Sequence, residues 1–450
     1  MSESINSFVS FIEEIKITGE SIILYAIPRD IFIHPAIQQA SLVFIKAVKS
    51  KKIVSISFNH QDDVNIIKVK EFVSIITSLS NIKWVFNKKE FMQMFGVSKL
   101  NDIDLYLHLW EGKIIEREKA ETVAHKFIYR SKRNFKNLND VVPLLKHKEM
   151  FNNMCDCFSD KYPIDDGYKK ENELIIETLS DLETNGVYVN SDCFKNHFNA
   201  TIHENNLVYS QYHIYTSTGR PSNNFDNVNY AALNKDNGSR ECFVSRFGEN
   251  GKMVLIDYSA FHPRIICGLI DFPLSVDIDI YKYLGEMYFK RPVNDSDVAE
   301  IKKITFRQLF GGVEEQYEHI KYFSRLKSYI KTNWENFQRD GFVLTPVFGR
   351  RITDKHILDP NPNKLFNYIL QATETEIAVP TLSLVNSYLK DKQTKAILYT
   401  YDSILFDFNK TDGSAVLTDI ISIMKMNNRF SVKVDMGDSY ASLSQIYPQF

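Results

Sequence analysis

Two aspartates sit where a charge is hard to justify. Asp257 closes Lys252–Ser259 (Lys-Met-Val-Leu-Ile-Asp-Tyr-Ser), a nearly continuous apolar run that follows Gly251. Asp402 stands among Leu398, Tyr399, Tyr401, Ile404 and Leu405, with no basic residue close by in sequence. A carboxylate in such surroundings is costly unless something pairs with it. Brought together, two of them repel unless a cation lies between them. Paired divalent metals acting on a phosphate substrate would resolve that repulsion. In the other reading each acid caps a turn or pairs with a remote arginine, and these two residues alone leave both readings open.

A third element adds a face rather than a point. Asp297–Phe310 reads as a helix ended by Gly311-Gly312, and Lys302, Phe306 and Phe310 fall at i, i+4 and i+8 on one side of it. One ammonium with two aromatic rings suits a nucleoside triphosphate, the lysine for phosphate and the rings for sugar and base. Aromatics at this spacing also suit a packed core.

The elements around these residues alternate. Lys52–Phe58 has strand periodicity and Asn65–Leu79 helical spacing, while Glu171–Thr184 is a helix stopped by Asn185-Gly186. Ala396–Phe408 alternates on both sides of Tyr401-Asp402-Ser403, a hairpin with an acid at its tip. The expected class is mixed α/β (α+β). A soft boundary falls at Ser159–Asp166, marked by Tyr162-Pro163 and Asp165-Asp166-Gly167. The 450 residues allow roughly three structural units, with 44% hydrophobic and 24% charged residues excluding a wholly disordered chain.

No apolar run reaches the ~18 residues of a membrane helix, and the start lacks the basic region of a secretory signal, so a soluble, cytoplasmic protein is expected. Five cysteines do not suit a disulfide framework, and Cys155 and Cys157 have no second pair for zinc. The 11 histidines show no metal-ligand spacing, and no phosphate-cradling Gly-x-x-x-x-Gly-Lys loop is present, which argues against an ATPase motor.

With Lys+Arg 54 against Asp+Glu 56, the net charge of −2 is low for a protein that coats nucleic acid. Charge is concentrated locally, however. Lys126–Lys136 holds five basic residues and no acid, interleaved with Phe127, Tyr129 and Phe135, and Lys302–Lys355 holds 11 basic and six acidic residues. Both compositions suit phosphate pairing and base stacking; the first equally suits a solvated helix face.

The order of the motifs carries a resemblance. Thr216-Ser-Thr-Gly-Arg220, Asn227-Val-Asn-Tyr230 and Asp257-Tyr-Ser-Ala-Phe-His-Pro-Arg264 resemble the start of the palm in family A DNA polymerases, the group of bacterial DNA polymerase I. Lys302-Lys-Ile-Thr-Phe306-Arg-Gln-Leu-Phe310-Gly is similar to that family's nucleotide-binding fingers helix. Phe348-Gly-Arg-Arg-Ile352 and Asn367-Tyr-Ile-Leu-Gln371-Ala-Thr are similar to its primer-template segment, and Tyr401-Asp402-Ser403 to its second metal motif. Leu182–Asn190 resembles the start of its polymerase region, so the likeness covers about 174–450.

The resemblance implies a right-hand polymerase: palm over 166–262 and 378–450, fingers and primer-template helices over 263–377, and a ribonuclease-H-like α/β domain over 1–165. It implies Asp257 and Asp402 as catalytic ligands of two Mg²⁺ ions, with the Tyr258 carbonyl as a further ligand. Lys302, Phe306, Phe310 and His262 would bind a deoxynucleoside triphosphate, and Arg220, Asn367 and Gln371 the primer-template minor groove.

The chain departs from the family pattern in several places. His262 stands where the family has a glutamate that discriminates the sugar, and Val298 where it offers an arginine for the triphosphate, with compensation by Lys303 or a residue elsewhere, or else a low nucleotide affinity, as the expected consequence. Tyr401 and Ser403 flank Asp402 in place of histidine and glutamate, and Phe310 replaces a tyrosine. Only 30 positions separate Gly186 from Thr216, too few for the family's helical thumb, so the thumb near 187–215 is expected to be missing or reduced. Low processivity would follow unless residues 1–165, the Lys126–Lys136 cluster or a replisome partner hold the DNA.

Lys52–Phe58, Trp84–Phe91 and Asp102–His108 are similar in order to the family's 3′–5′ proofreading domain. The strand near Ser21–Ala26 has no acid pair, leaving Glu90 and Asp104 as relics. The expected function is a phage-type DNA polymerase without proofreading, working in a bacterial host's cytoplasm. The alternatives are a catalytically weakened relative serving as a nucleic-acid-binding replication subunit, and a nuclease using the N-terminal domain.

Overall fold

The computed structural model describes residues 3–62, 67–115 and 137–446, and divides into two compact units, Met1–Thr184 and Asn185–Phe450. The basic Lys126–Lys136 cluster lies outside the described residues.

The first unit is built on a five-stranded sheet. Ile22–Pro28 pairs antiparallel with Ala40–Ala47, which pairs antiparallel with Ile53–Ser57; on its other edge Ile22–Pro28 runs parallel to Lys83–Val85, followed by Asn101–Asp102. Alternate residues of the central strand face opposite sides, and each side has its own cover. The helix Glu3–Thr18 presents Phe8, Phe11, Ile12 and Ile15, at i, i+3, i+4 and i+7, to the side carrying Ile22, Leu24 and Ala26. On the other side Phe151, from the helix Leu144–Asp156, stacks on Phe44 at 5.3 Å and on Tyr25 at 6.4 Å.

The first unit extends past the boundary expected near residue 165. Its last helix, Ile176–Thr184, is held by buried ion pairs: Lys88 Nζ reaches Glu177 at 2.7 Å and the Asn172 carbonyl at 2.8 Å, while Lys89 and His34 both reach Glu183. Glu183 is 1% exposed, so its charge can be buried only where those partners are. Asp104 is also buried and accepts the Asn87 amide at 2.8 Å, closing the turn before the helix Lys88–Phe95.

The second unit centres on an antiparallel sheet in the order Lys395–Thr400, Ser403–Asn409, Gly251–Tyr258, Val432–Gly437, Ser444–Ile446. Gly251–Tyr258 is the middle strand, with a neighbour on both edges, and its Met253 joins a core with Val187, Phe194, Val228 and Phe243. The 27-residue helix Pro362–Tyr388 buries Leu365, Ile369, Leu382 and Val385, and the helices Phe261–Leu269, Ile280–Phe289, Val298–Gly311 and Lys321–Asp340 lie in the same unit. Residues 187–215 hold one seven-residue helix, Ser191–His197, and three two-residue strands.

The cysteine expectation needs correction: Cys193 and Cys242 are joined as a disulfide, leaving Cys155, Cys157 and Cys267 free. The two are 49 residues apart in sequence and meet because Val189 bridges Phe243 and the Asn190 amide donates to the Cys242 carbonyl at 2.8 Å.

Candidate active site

The sheet register brings the two aspartates together. Asp257 lies opposite Ser403 on one neighbouring strand and Lys433 on the other, one position from the Tyr401-Asp402 turn. The Tyr258 amide then donates to the Asp402 carbonyl at 2.9 Å. Tyr401 takes a left-handed φ of +61°, which turns the hairpin tightly enough to hold Asp402 beside the end of the central strand.

Burial and like charge together set the electrostatics of the two acids. Burial, and secondly the nearby Asp402, push the Asp257 carboxyl up to about 7. Burial followed by the charge of Glu374 also raises Asp402. Asp257 Oδ1 is enclosed and has no hydrogen-bond partner among the described residues. Oxygen ligands of like charge, partly buried and unsatisfied, fit hard divalent cations. Among the described residues the cations that bear on Asp257 are Lys433 and Lys235, while the charge of Arg220 bears on Asp402.

Both acids line a cleft of about 950 Å³ with Arg220, Tyr258, His262, Val298, Lys302, Phe306, Phe310 and Glu374. The helix Val298–Gly311 supplies one wall. Phe306 stacks on Phe310 at 5.9 Å with 17° between the rings, and Lys302 Nζ lies 5.2 Å from the centre of the Tyr281 ring. Phe306 is 38% exposed, which excludes the packed-core reading of this aromatic face. Gly312 ends the helix at φ +100°, where a Cβ would come within 2.6 Å of the Asn363 amide. The Asn363 amide donates to the Gly311 carbonyl at 2.9 Å, fixing the helix end to the long helix Pro362–Tyr388.

Glu374 escaped the sequence reading. It is 1% exposed, on the helix Pro362–Tyr388, and its two oxygens face two cleft residues: Arg220 Nε at 2.8 Å and His262 Nε2 at 3.2 Å. Arg220 also lies flat over the Tyr401 ring, 3.5 Å from its centre, and His262 meets Phe310 edge-on at 5.7 Å. A single buried carboxylate thus links the Thr-Gly-Arg turn, the segment after Asp257, the hairpin tip and the end of the aromatic helix. The available signal was the run Thr373-Glu-Thr-Glu376 inside an otherwise apolar helix, where each acid needs a partner. Glu376 has its own: it accepts the Thr345 hydroxyl at 2.5 Å and the Phe348 amide at 3.0 Å.

Asn367 and Gln371 do not line the cleft. They share one side of the long helix, and the Asn367 amide reaches the Phe310 carbonyl at 3.4 Å. Lys303 is exposed and not part of the cleft; Lys425 and Lys433 line it instead. The Thr216–Arg220 turn is set by buried Arg350, which donates to the Thr216 carbonyl at 3.0 Å. Gly219, at φ +70°, leaves no Cβ to crowd that guanidinium, which would be 3.2 Å away.

No family model matches the chain. Over an alignment 270 positions long, covering 50% of this chain and 29% of the other protein, it is 23% identical to a DNA polymerase of Bacillus phage SP01. Among solved structures, the POL domain of Pol1 from M. smegmatis, in complex with a DNA primer-template and dNTP, matches with a TM-score of 0.67 and 13% identity. That match covers 98% of this chain and 99% of the other. The fold is that of a DNA polymerase domain, as the motif order implies. Among the described residues no helix is long and apolar enough to cross a membrane.

Proposed function

We propose that the chain is a template-directed DNA polymerase that adds deoxynucleoside triphosphates to a primer 3′-hydroxyl. The observation that carries this reading is the convergence of Asp257 and Asp402 in one cleft with Lys302 and Phe306. Asp257, Asp402 and the Tyr258 carbonyl would hold two Mg²⁺ ions. Bound there, the metals would supply a lowered pKa for the primer hydroxyl and charge neutralisation for the leaving pyrophosphate.

The chain's own residues position the reactants. Lys302 offsets triphosphate charge, Phe306 faces the sugar and Phe310 borders the nascent pair, stacked against Phe306. Val298 brings no cation to the cleft, and Lys425 and Lys433 line it from other elements. His262, set between Glu374 and Phe310, presents an imidazole where sugar selection would occur.

Arg220 is engaged by Glu374, so its part at the primer-template is to hold Tyr401 and the hairpin tip as well as to meet the minor groove. Asn367 and Gln371, four residues apart on one helix, can offer amides to minor-groove acceptors common to all base pairs.

The seven-residue helix within 187–215 supports a reduced thumb and low intrinsic processivity, with residues 1–165 or a replisome protein retaining the DNA. The strand Ile22–Pro28 carries no acid and Asp104 is engaged by backbone, which supports a ribonuclease-H-like scaffold without proofreading. The likeness to a phage polymerase supports a phage protein working in its host's cytoplasm.

Incubating the chain with labelled primer-template, Mg²⁺ and either deoxynucleotides, ribonucleotides or none tests this. Extension with deoxynucleotides is expected. Binding without extension would favour a nucleic-acid-binding replication subunit, and shortening of the primer a nuclease.

A further inference from the structure

Three soft or borderline metal ligands converge outside the cleft, beside the Leu182–Asn190 segment. Cys193 and His197 are four residues apart on the helix Ser191–His197, so thiol and imidazole share a face. Cys242 arrives from the short helical turn Ser239–Cys242, and one ligand atom from each of the three residues lies within 4.8 Å of the others. Cys242 is fully buried, Cys193 half-buried and His197 exposed, so the cluster runs from the interior to water. Backbone contacts already clamp its two segments: the Asn190 side chain caps the helix through the Cys193 amide at 3.0 Å, and the Asn190 amide binds the Cys242 carbonyl at 2.8 Å. The two sulfurs therefore stay neighbours whether or not they are bonded.

We propose that Cys193, His197 and Cys242 form a redox-gated zinc site, closed as the Cys193–Cys242 disulfide and opened by reduction. Reduction by a dithiol breaks the S–S bond. The dithiol is oxidised to its own disulfide, and both cysteines become thiols. Binding of Zn²⁺ then releases the two thiol protons to solvent, giving two thiolate ligands and one neutral imidazole. His197 is exposed, so a water molecule would complete the zinc coordination. Two thiolates and an imidazole select zinc over the hard cations that a carboxylate pair takes, so this site and the Asp257–Asp402 pair would bind different metals in one chain. A bound zinc shields the thiolates from oxidation, and oxidation expels the zinc; the two states exclude each other.

The test uses the full chain, reduced with dithiothreitol, desalted without oxygen and titrated with Co²⁺ as a spectroscopic probe. One cobalt per chain with a near-ultraviolet thiolate-to-metal band is expected, displaced by one equivalent of Zn²⁺. Cobalt held by carboxylates has no such band. Oxidising the protein with diamide beforehand should abolish the band. Cys242→Ser should remove it, and His197→Ala, a surface change that spares the fold, should weaken binding at least about tenfold. The double variant of Cys155 and Cys157 to serine should leave the band intact. A reduced chain without a thiolate band, or a band that survives in Cys242→Ser, overturns the proposal.

Discussion

The backbone amide of Tyr258 donates to the carbonyl of Asp402 at 2.9 Å, so the residue after one cleft acid is bonded to the other acid itself. The spacing of the two carboxylates is therefore set by a sheet ladder and a tight turn rather than by side-chain contacts. Either side chain can be changed without removing the elements that position it, which makes the site testable by substitution.

Glu374 should matter more than either residue it holds. Its removal leaves Arg220 without its carboxylate and His262 without its anchor. Glu374→Ala should lower stability by about 2 kcal/mol and reduce the preference for deoxynucleotides over ribonucleotides. His262→Ala should reduce that preference with little change in stability. Ratios of kcat/KM for the two nucleotide classes, read beside chemical denaturation, check this; an unchanged ratio in both variants removes the pair from sugar selection.

Lys302 and Phe306 should separate binding from chemistry. Lys302→Ala removes the ammonium that meets the triphosphate and should raise KM for nucleotide about tenfold or more, with a smaller fall in kcat. Phe306→Ala leaves that charge in place and unstacks Phe310, so it should lower kcat at saturating nucleotide. Steady-state extension over a range of nucleotide concentrations distinguishes the two patterns.

Asp407 is a stability determinant outside the cleft. It is fully buried and accepts the Ser245 hydroxyl at 2.5 Å and the Arg246 guanidinium at 2.8 Å. Arg246 in turn donates to the Asn185 and Gly186 carbonyls at 2.9 and 2.8 Å. Asp407→Ala would leave a half-buried cation unpaired and should cost about 3–5 kcal/mol, measured by urea denaturation. A loss below 1 kcal/mol would mean that Arg246 is solvated well enough to do without its partner.

Acid should weaken the first unit through His147. Its ring is buried, donates to the Asn139 carbonyl at 3.2 Å and lies edge-on to His60, and burial lowers it from 6.5 to about 4. The unfolded chain takes up this proton near 6.5 and the folded one only near 4. Stability is therefore full above pH 6.5 and falls as the pH drops from 6.5 to 4, by up to about 3 kcal/mol. His147→Gln should flatten that part of the profile; an unchanged slope places the titration elsewhere.

The cleft residues were legible because they contradict their neighbourhoods. An aspartate ending an apolar strand, an aspartate at a hairpin tip and a lysine in line with two phenylalanines each stand out along the chain. Glu374 did not, because a lone acid on a long helix reads as solvent-facing until the helix is known to be buried on nearly every side. The chain position of Cys193 and Cys242 hid their pairing, since Val189 and Phe243 bring them together only after the strands meet. The grouping of the last helix with the first unit was hidden for a similar reason: its Glu177 and Glu183 look like surface charges in sequence, and their partners Lys88 and Lys89 lie some 90 residues away. Local propensity located the helices and strands. Long-range pairing of charged groups decided which unit they joined.

The central claim rests on Asp257 and Asp402 acting as one metal-dependent centre, and single-turnover primer extension by Asp257→Asn and Asp402→Asn tests it most directly. Each variant should keep its circular dichroism spectrum, and its metal-free thermal stability should hold or rise because one of two repelling acids is gone. Each should lose at least about a hundredfold in extension rate. Extension at close to the wild-type rate by either variant would contradict the account.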